Sequence, residues 1–159
     1  MIFFDIDGTL LDYEAAERNG IIDFFQIYNT IFSGNELEAT RVWHELSEEY
    51  FNKFLSRELS FQEQQVEKLT ALNILKHFKY IFTSSELGIS KPDPEIFHRT
   101  VLQSNLEMKD CYYIGDRLET DAISSTAAGM QGIWLNRDNS QLKYDIPTIC
   151  SLHEVLTII

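Results

Sequence analysis

An apolar run, Met1-Ile2-Phe3-Phe4, ends abruptly in Asp5-Ile6-Asp7-Gly8-Thr9. Side chains alternate across a strand, so Asp5 and Asp7 leave its end on the same side. Two like charges held that close are unfavourable unless a cation or a shared proton offsets them. A hard divalent metal with oxygen ligands is the natural candidate. A solvated Asp-Gly turn closing a hairpin would account for Gly8, but not for the apolar lead-in. Nor would it account for the downstream groups: Lys91 in Lys91-Pro92-Asp93-Pro94, and Asp116 and Asp121 in the stretch opened by Gly115. Carboxylates after two strands, with one lysine, can bring a metal, a nucleophile and a phosphate clamp to the carboxyl edge of an α/β sheet.

These three stretches, in this order, resemble the haloacid dehalogenase superfamily of phosphohydrolases. Its first motif reads Asp-x-Asp-Gly-Thr, its third supplies a lysine, and its fourth reads Gly-Asp with another Asp five residues on. The resemblance implies Asp5 as the nucleophile that forms an aspartyl-phosphate, and Asp7 as the general acid and base. It places Lys91 against the phosphoryl oxygens and Asp5, with Gly8 and Thr9 beside the bound phosphate. Mg²⁺ would be held by the Asp5 carboxylate, the Asp7 backbone carbonyl and Asp116, with Asp121 orienting that sphere. Arg117 reads equally well as a substrate contact or a solvated side chain. His44, His77, His98 and His153 have no ligand spacing and read as structural or exposed.

Composition narrows the partners. The chain has 159 residues, 44% of them hydrophobic, enough for one domain with a small appendage. No run reaches the roughly 18 apolar residues of a membrane span, and the first apolar stretch is short for a signal peptide. Cys111 and Cys150 are isolated in sequence and read as reduced core thiols of a cytoplasmic protein. A net charge of −12 argues against a nucleic-acid polymer as partner, yet leaves room for one small phosphate ester.

The elements that must position these residues follow from periodicity. The expected fold is a Rossmann-like three-layer α/β core over 1–12 and 74–159, with a small helical cap at 13–73 inserted after the first strand. Helical spacing over Tyr13 to Phe61 makes Trp43 and its aromatic neighbours packing residues. A capping box at Ser60 and Glu63 starts a helix with an apolar stripe of Phe61, Val66, Leu69 and Leu72. Strands are expected at Tyr80–Thr83, Cys111–Ile114, Ile133–Leu135 and Thr148–Cys150. Helices are expected after Asp93-Pro94, over Thr120–Ala128 up to Gly129, and from Ser151. Alternating β and α units imply a parallel sheet.

One part of the resemblance is missing. The family's second motif is a strand ending in Ser or Thr that holds the phosphoryl group. Here a passage resembling mid-cap runs straight into one resembling the helix after that strand, joined near residues 63–65. The lost strand would lie beside the first, so a free edge is expected, with instability, aggregation or strand-borrowing between copies. Thr83, Ser84 and Ser85 are candidate substitutes. The leading functional expectation is a Mg²⁺-dependent phosphatase of a small phosphorylated metabolite, monomeric or homodimeric. The passage from Trp43 to Glu63 resembles nucleotidases acting on nucleoside monophosphates. The alternatives are a phosphomutase, or a non-catalytic relative that binds phosphate or a protein partner. Asp7 argues against a dehalogenase, which lacks that second aspartate.

Overall fold

Ile2–Phe4 forms the first strand, β1, because three consecutive apolar residues there can be covered on both faces. The computed structural model describes residues 1–11, 60–71, 73–140 and 144–158. Most of the expected cap, including Trp43 and His44, therefore lies outside the described residues. Among the described residues four parallel strands follow in spatial order: β1, β2 (Tyr112–Gly115), β3 (Gln131–Leu135) and β4 (Thr148–Ile149). Phe3 pairs with Tyr113, Gly115 with Trp134, and Leu135 with Ile149. The strand expected at Cys111–Ile114 is thus shifted by one residue, and the one at Ile133–Leu135 starts two residues earlier.

Helices cover both faces of the sheet. On one face, Phe97 and Val101 of α3 (Glu95–Gln103) pack with Cys111, Ala128 and Met130. On the other, Ile114, Ile133, Leu135 and Ile149 pack against Val155 of the short terminal helix Val155–Ile158. The residues facing each layer alternate along the strands, as period-two side chains require. Cys111 is buried as expected; Cys150 is exposed, a correction, because it follows β4 where the chain turns outward.

Local signals explain most boundaries. In α1 (Phe61–Ala71), the Ser60 amide and hydroxyl both donate to Glu63, at 2.8 and 2.7 Å, and the Glu63 amide returns a bond to Ser60 Oγ at 3.2 Å. The stripe is nevertheless displaced: Leu69 is buried, but Gln65 is buried beside it while Phe61 is at the surface. Asp93 Oδ1 accepts the Glu95 amide at 2.9 Å and starts α3. After β2 the chain makes a wide helical turn over Leu118–Ile123, continues as α4 (Ser124–Ala127), and leaves the helix at Gly129, whose φ is +100°. Ser151 Oγ accepts the His153 amide ahead of the last helix.

The largest departure from expectation lies beside β1. Residues 80–82 carry no sheet pairing, and Thr83 instead caps the short helix α2 (Ser84–Leu87). A strand needs a neighbour, and nothing among the described residues lies between this segment and β1. The Tyr112 amide bonds Met1 O at 3.0 Å, and the Asp5 amide bonds Ile114 O at 2.8 Å. By strand alternation, Ile2 and Phe4 turn their backbone groups to the opposite, open edge. No described residue bonds them there. A cavity of about 580 Å³ separates this edge from 78–83 and ends at Asp5, Asp7 and Lys91.

Candidate active site

Asp5 follows β1 and Asp116 follows β2, so adjacent parallel strands deliver both to one edge of the sheet. Asp121 arrives from the wide helical turn. Carboxylate oxygens of Asp5, Asp116 and Asp121 lie within 4.8 Å of one another. Lys91, from the loop ahead of α3, places Nζ 2.6 Å from Asp5 Oδ1 and 2.5 Å from Asp121 Oδ1. It also donates to the Tyr113 hydroxyl at 3.2 Å. The expected grouping of Asp5, Lys91, Asp116 and Asp121 is therefore present.

Close packing holds the group. Thr9, fully buried, donates to Asp116 Oδ1 at 3.3 Å and accepts the Asp116 amide at 3.0 Å. Trp134 Nε1 holds the Asp116 carbonyl at 2.9 Å, and the Arg117 amide holds Asp121 Oδ2 at 3.0 Å. Gly8 has φ of +85°, and a methyl on it would overlap the Asp116 carboxylate. A methyl on Gly115 would overlap Asp121 in the same way. Both positions need glycine because carboxylates occupy the space a Cβ would take. Arg137, just past β3, donates to the carbonyls of Gly8 and Thr9 and ties that loop down from above.

Asp7 stands apart. Its side chain is 47% exposed and lies outside the carboxylate triad; Lys68 of α1 holds it through both oxygens, at 2.6 and 2.8 Å. Arg117 is exposed and lines the cavity. Thr83 also lines it, but its hydroxyl is engaged by Ser85 at 3.0 Å and by the Glu86 amide. Lys68, Gln65, Tyr113 and Arg137 were not singled out from sequence. Tyr113 alone carried a signal, since alternation puts it on the face opposite Ile114.

Charge in the triad is unbalanced. Burial raises the Asp5 carboxyl above its ordinary range, Asp121 and Asp116 push it the same way, and Lys91 offsets only part of this. Burial acts to lower Lys91, but Tyr113, Asp5 and Asp121 around it carry the ammonium well above the usual lysine range. Burial likewise raises the Tyr113 phenol, so it stays neutral beside the lysine. Three carboxylates against one ammonium leave an excess of negative charge. The donors are all carboxylate oxygens, so the residues fit a hard divalent cation.

Several known proteins resemble this chain in sequence or fold. A family model described as haloacid dehalogenase-like hydrolase matches residues 59–135. Haloacid dehalogenase-like hydrolase domain-containing protein 3 of Danio rerio is 32% identical over 80 residues, covering 50% of this chain and 33% of its own length. A glyceraldehyde 3-phosphate phosphatase of Methanopyrus kandleri is 33% identical over 78 residues, 49% of this chain and 34% of that one. The matched stretch thus spans about a third of each relative. Among solved structures, the HAD-hydrolase YfnB of Bacillus subtilis superposes with a TM-score of 0.67 at 20% identity, covering 99% of this chain and 96% of that one. A HAD phosphatase of Thermococcus onnurineus gives 0.61 at 22%, with the same coverages. The family model over residues 59–135 and the relatives liken this chain to the haloacid dehalogenase-like hydrolases, and the solved structures share its fold.

Proposed function

We propose that the chain hydrolyses a small phosphomonoester with Mg²⁺ as cofactor. The observation that carries this reading is Lys91 Nζ bridging Asp5 and Asp121 beside Asp116. Asp5 Oδ attacks phosphorus, the P–O bond to the alcohol breaks, and an aspartyl-phosphate forms. Asp7 gives its proton to the departing alkoxide oxygen, then takes one from the water that hydrolyses the acyl-phosphate. Lys91 neutralises charge on the phosphoryl oxygens as attack proceeds. Asp5, Asp116 and Asp121 would hold Mg²⁺, which when bound neutralises phosphoryl charge and orients the group for in-line displacement.

Relatives named for phosphoserine and glyceraldehyde 3-phosphate support a small phosphorylated metabolite as substrate. The edge of β1 that no described residue pairs favours a second reading, a phosphate-binding relative without turnover. Release of p-nitrophenol from p-nitrophenyl phosphate, with and without Mg²⁺, decides between them. Metal-dependent turnover that disappears in Asp5→Asn is expected; turnover undiminished in EDTA would overturn the proposal.

A further inference from the structure

Helix α1 brings two side chains to the catalytic end of the sheet that phosphoryl transfer itself leaves unused. Lys68 Nζ sits 2.6 and 2.8 Å from the oxygens of Asp7. Gln65 lies three residues earlier, hence on the same face of the helix. It is 3% exposed and lines the cavity that also reaches Asp5 and Asp7. Its Oε1 has no hydrogen-bond partner among the described residues. A buried acceptor left unpaired is costly, so this oxygen points to a donor on whatever enters the cavity.

We propose that Gln65 and Lys68 form the subsite for the alcohol portion of the substrate. The preferred substrate is then a small phosphomonoester bearing a carboxylate near the ester oxygen, with an ammonium or hydroxyl donor beside it. This rests on the hydrolase reading above. A general acid works within about 2.6–3.2 Å of the oxygen it protonates. Lys68 touches Asp7, so its ammonium falls within roughly 6 Å of that ester oxygen when Asp7 is in place. A carboxylate two or three bonds from the oxygen spans that gap. An ammonium has three protons to give, so Lys68 can take the carboxylate without abandoning Asp7. Gln65 Oε1 accepts from the neighbouring donor. Arg117 lines the same cavity, and its guanidinium has no partner among the described residues, which adds to the attraction for an anion. A neutral alcohol offers Lys68 no charge to pair with.

Three probes separate the contributions: ethyl phosphate carries neither group, 2-phosphoglycolate adds the carboxylate, and O-phosphoserine adds the ammonium as well. With the full chain and Mg²⁺, kcat/KM should rise in that order. Lys68→Met should lower the ratio of 2-phosphoglycolate to ethyl phosphate turnover by about 10–100-fold, the scale of one charged hydrogen bond. Lys68→Arg should restore most of it. Gln65→Leu should lower O-phosphoserine relative to 2-phosphoglycolate. Calorimetric titration of 2-phosphoglycolate and ethyl phosphate onto Asp5→Asn protein, with and without Lys68→Met, reads the subsite without turnover. Lys68-dependent binding in a chain that hydrolyses nothing would end the hydrolase reading and keep the subsite. Turnover with no carboxylate preference, or equal losses on all probes in Lys68→Met, would overturn the subsite and keep the hydrolase.

Discussion

The two aspartates of the first loop are two residues apart, yet they end in different surroundings. Asp5 is 19% exposed and sits against Lys91, which is itself fixed by Asp121 and Tyr113. Asp7 is 47% exposed and is held by one lysine from a helix across an open cavity. The first region is braced by β2 and β3, through Thr9, Trp134 and the buried Asp121. The second faces the side where β1 has no neighbouring strand among the described residues. The half of the site that would bind metal is pre-organised by packing, and the half that would receive the alcohol depends on α1.

Asp5→Asn tests the braced half hardest. Turnover should fall at least ~10³-fold, because the amide cannot form the acyl-phosphate. In metal-free protein the same change should raise the melting temperature, since it removes a carboxyl whose ionisation the fold disfavours. The sign follows from linkage: folded Asp5 holds its proton to higher pH than the unfolded chain does. Its contribution to stability is therefore lost as pH rises through the folded value. Mg²⁺ should flatten that slope in the parent chain, as thermal melts across the acid range would show.

Lys91→Met should lower kcat by ~10²–10³ through lost charge stabilisation. It also leaves Asp121 buried with one partner fewer, so melts should become more sensitive to added Mg²⁺. A variant as stable as the parent without metal would mean that the lysine does not balance the triad. Asp7→Asn should cost ~10²–10⁴, with less loss for esters of acidic phenols, whose leaving groups need no proton. Equal losses on phenyl and alkyl esters would remove Asp7 from the proton-transfer role. The smallest effect belongs to Tyr113→Phe, which removes one hydrogen bond to Lys91. About 1 kcal/mol of stability and a few-fold in kcat should go with it.

The triad, the lysine, the parallel sheet and the starts of α1 and α3 were legible because each rests on local chemistry. Asp-x-Asp-Gly-Thr, Gly-Asp and the Ser60–Glu63 box state their geometry in a few residues. The segment 80–83 was misread because its composition suits a strand while strand formation requires a partner, which no local pattern reports. Gln65 was missed for the converse reason. Periodicity assigns burial by apolarity, and it cannot see a polar residue buried because it faces a cavity. Lys68 reads as a surface lysine until α1 is placed against Asp7.

The outward backbone groups of Ile2 and Phe4, which no described residue bonds, bear on how copies of this molecule meet in solution. A bare sheet edge is sticky toward any extended segment, and the chain's net charge of −12 opposes contact between copies. These two tendencies respond differently to electrolyte. Salt shortens the reach of the repulsion, to about 10 Å at 0.1 M, and leaves backbone pairing largely intact. Light scattering should find dispersed particles at low ionic strength and growing ones as salt is added, reversing the order expected for a molecule held together by surface ion pairs.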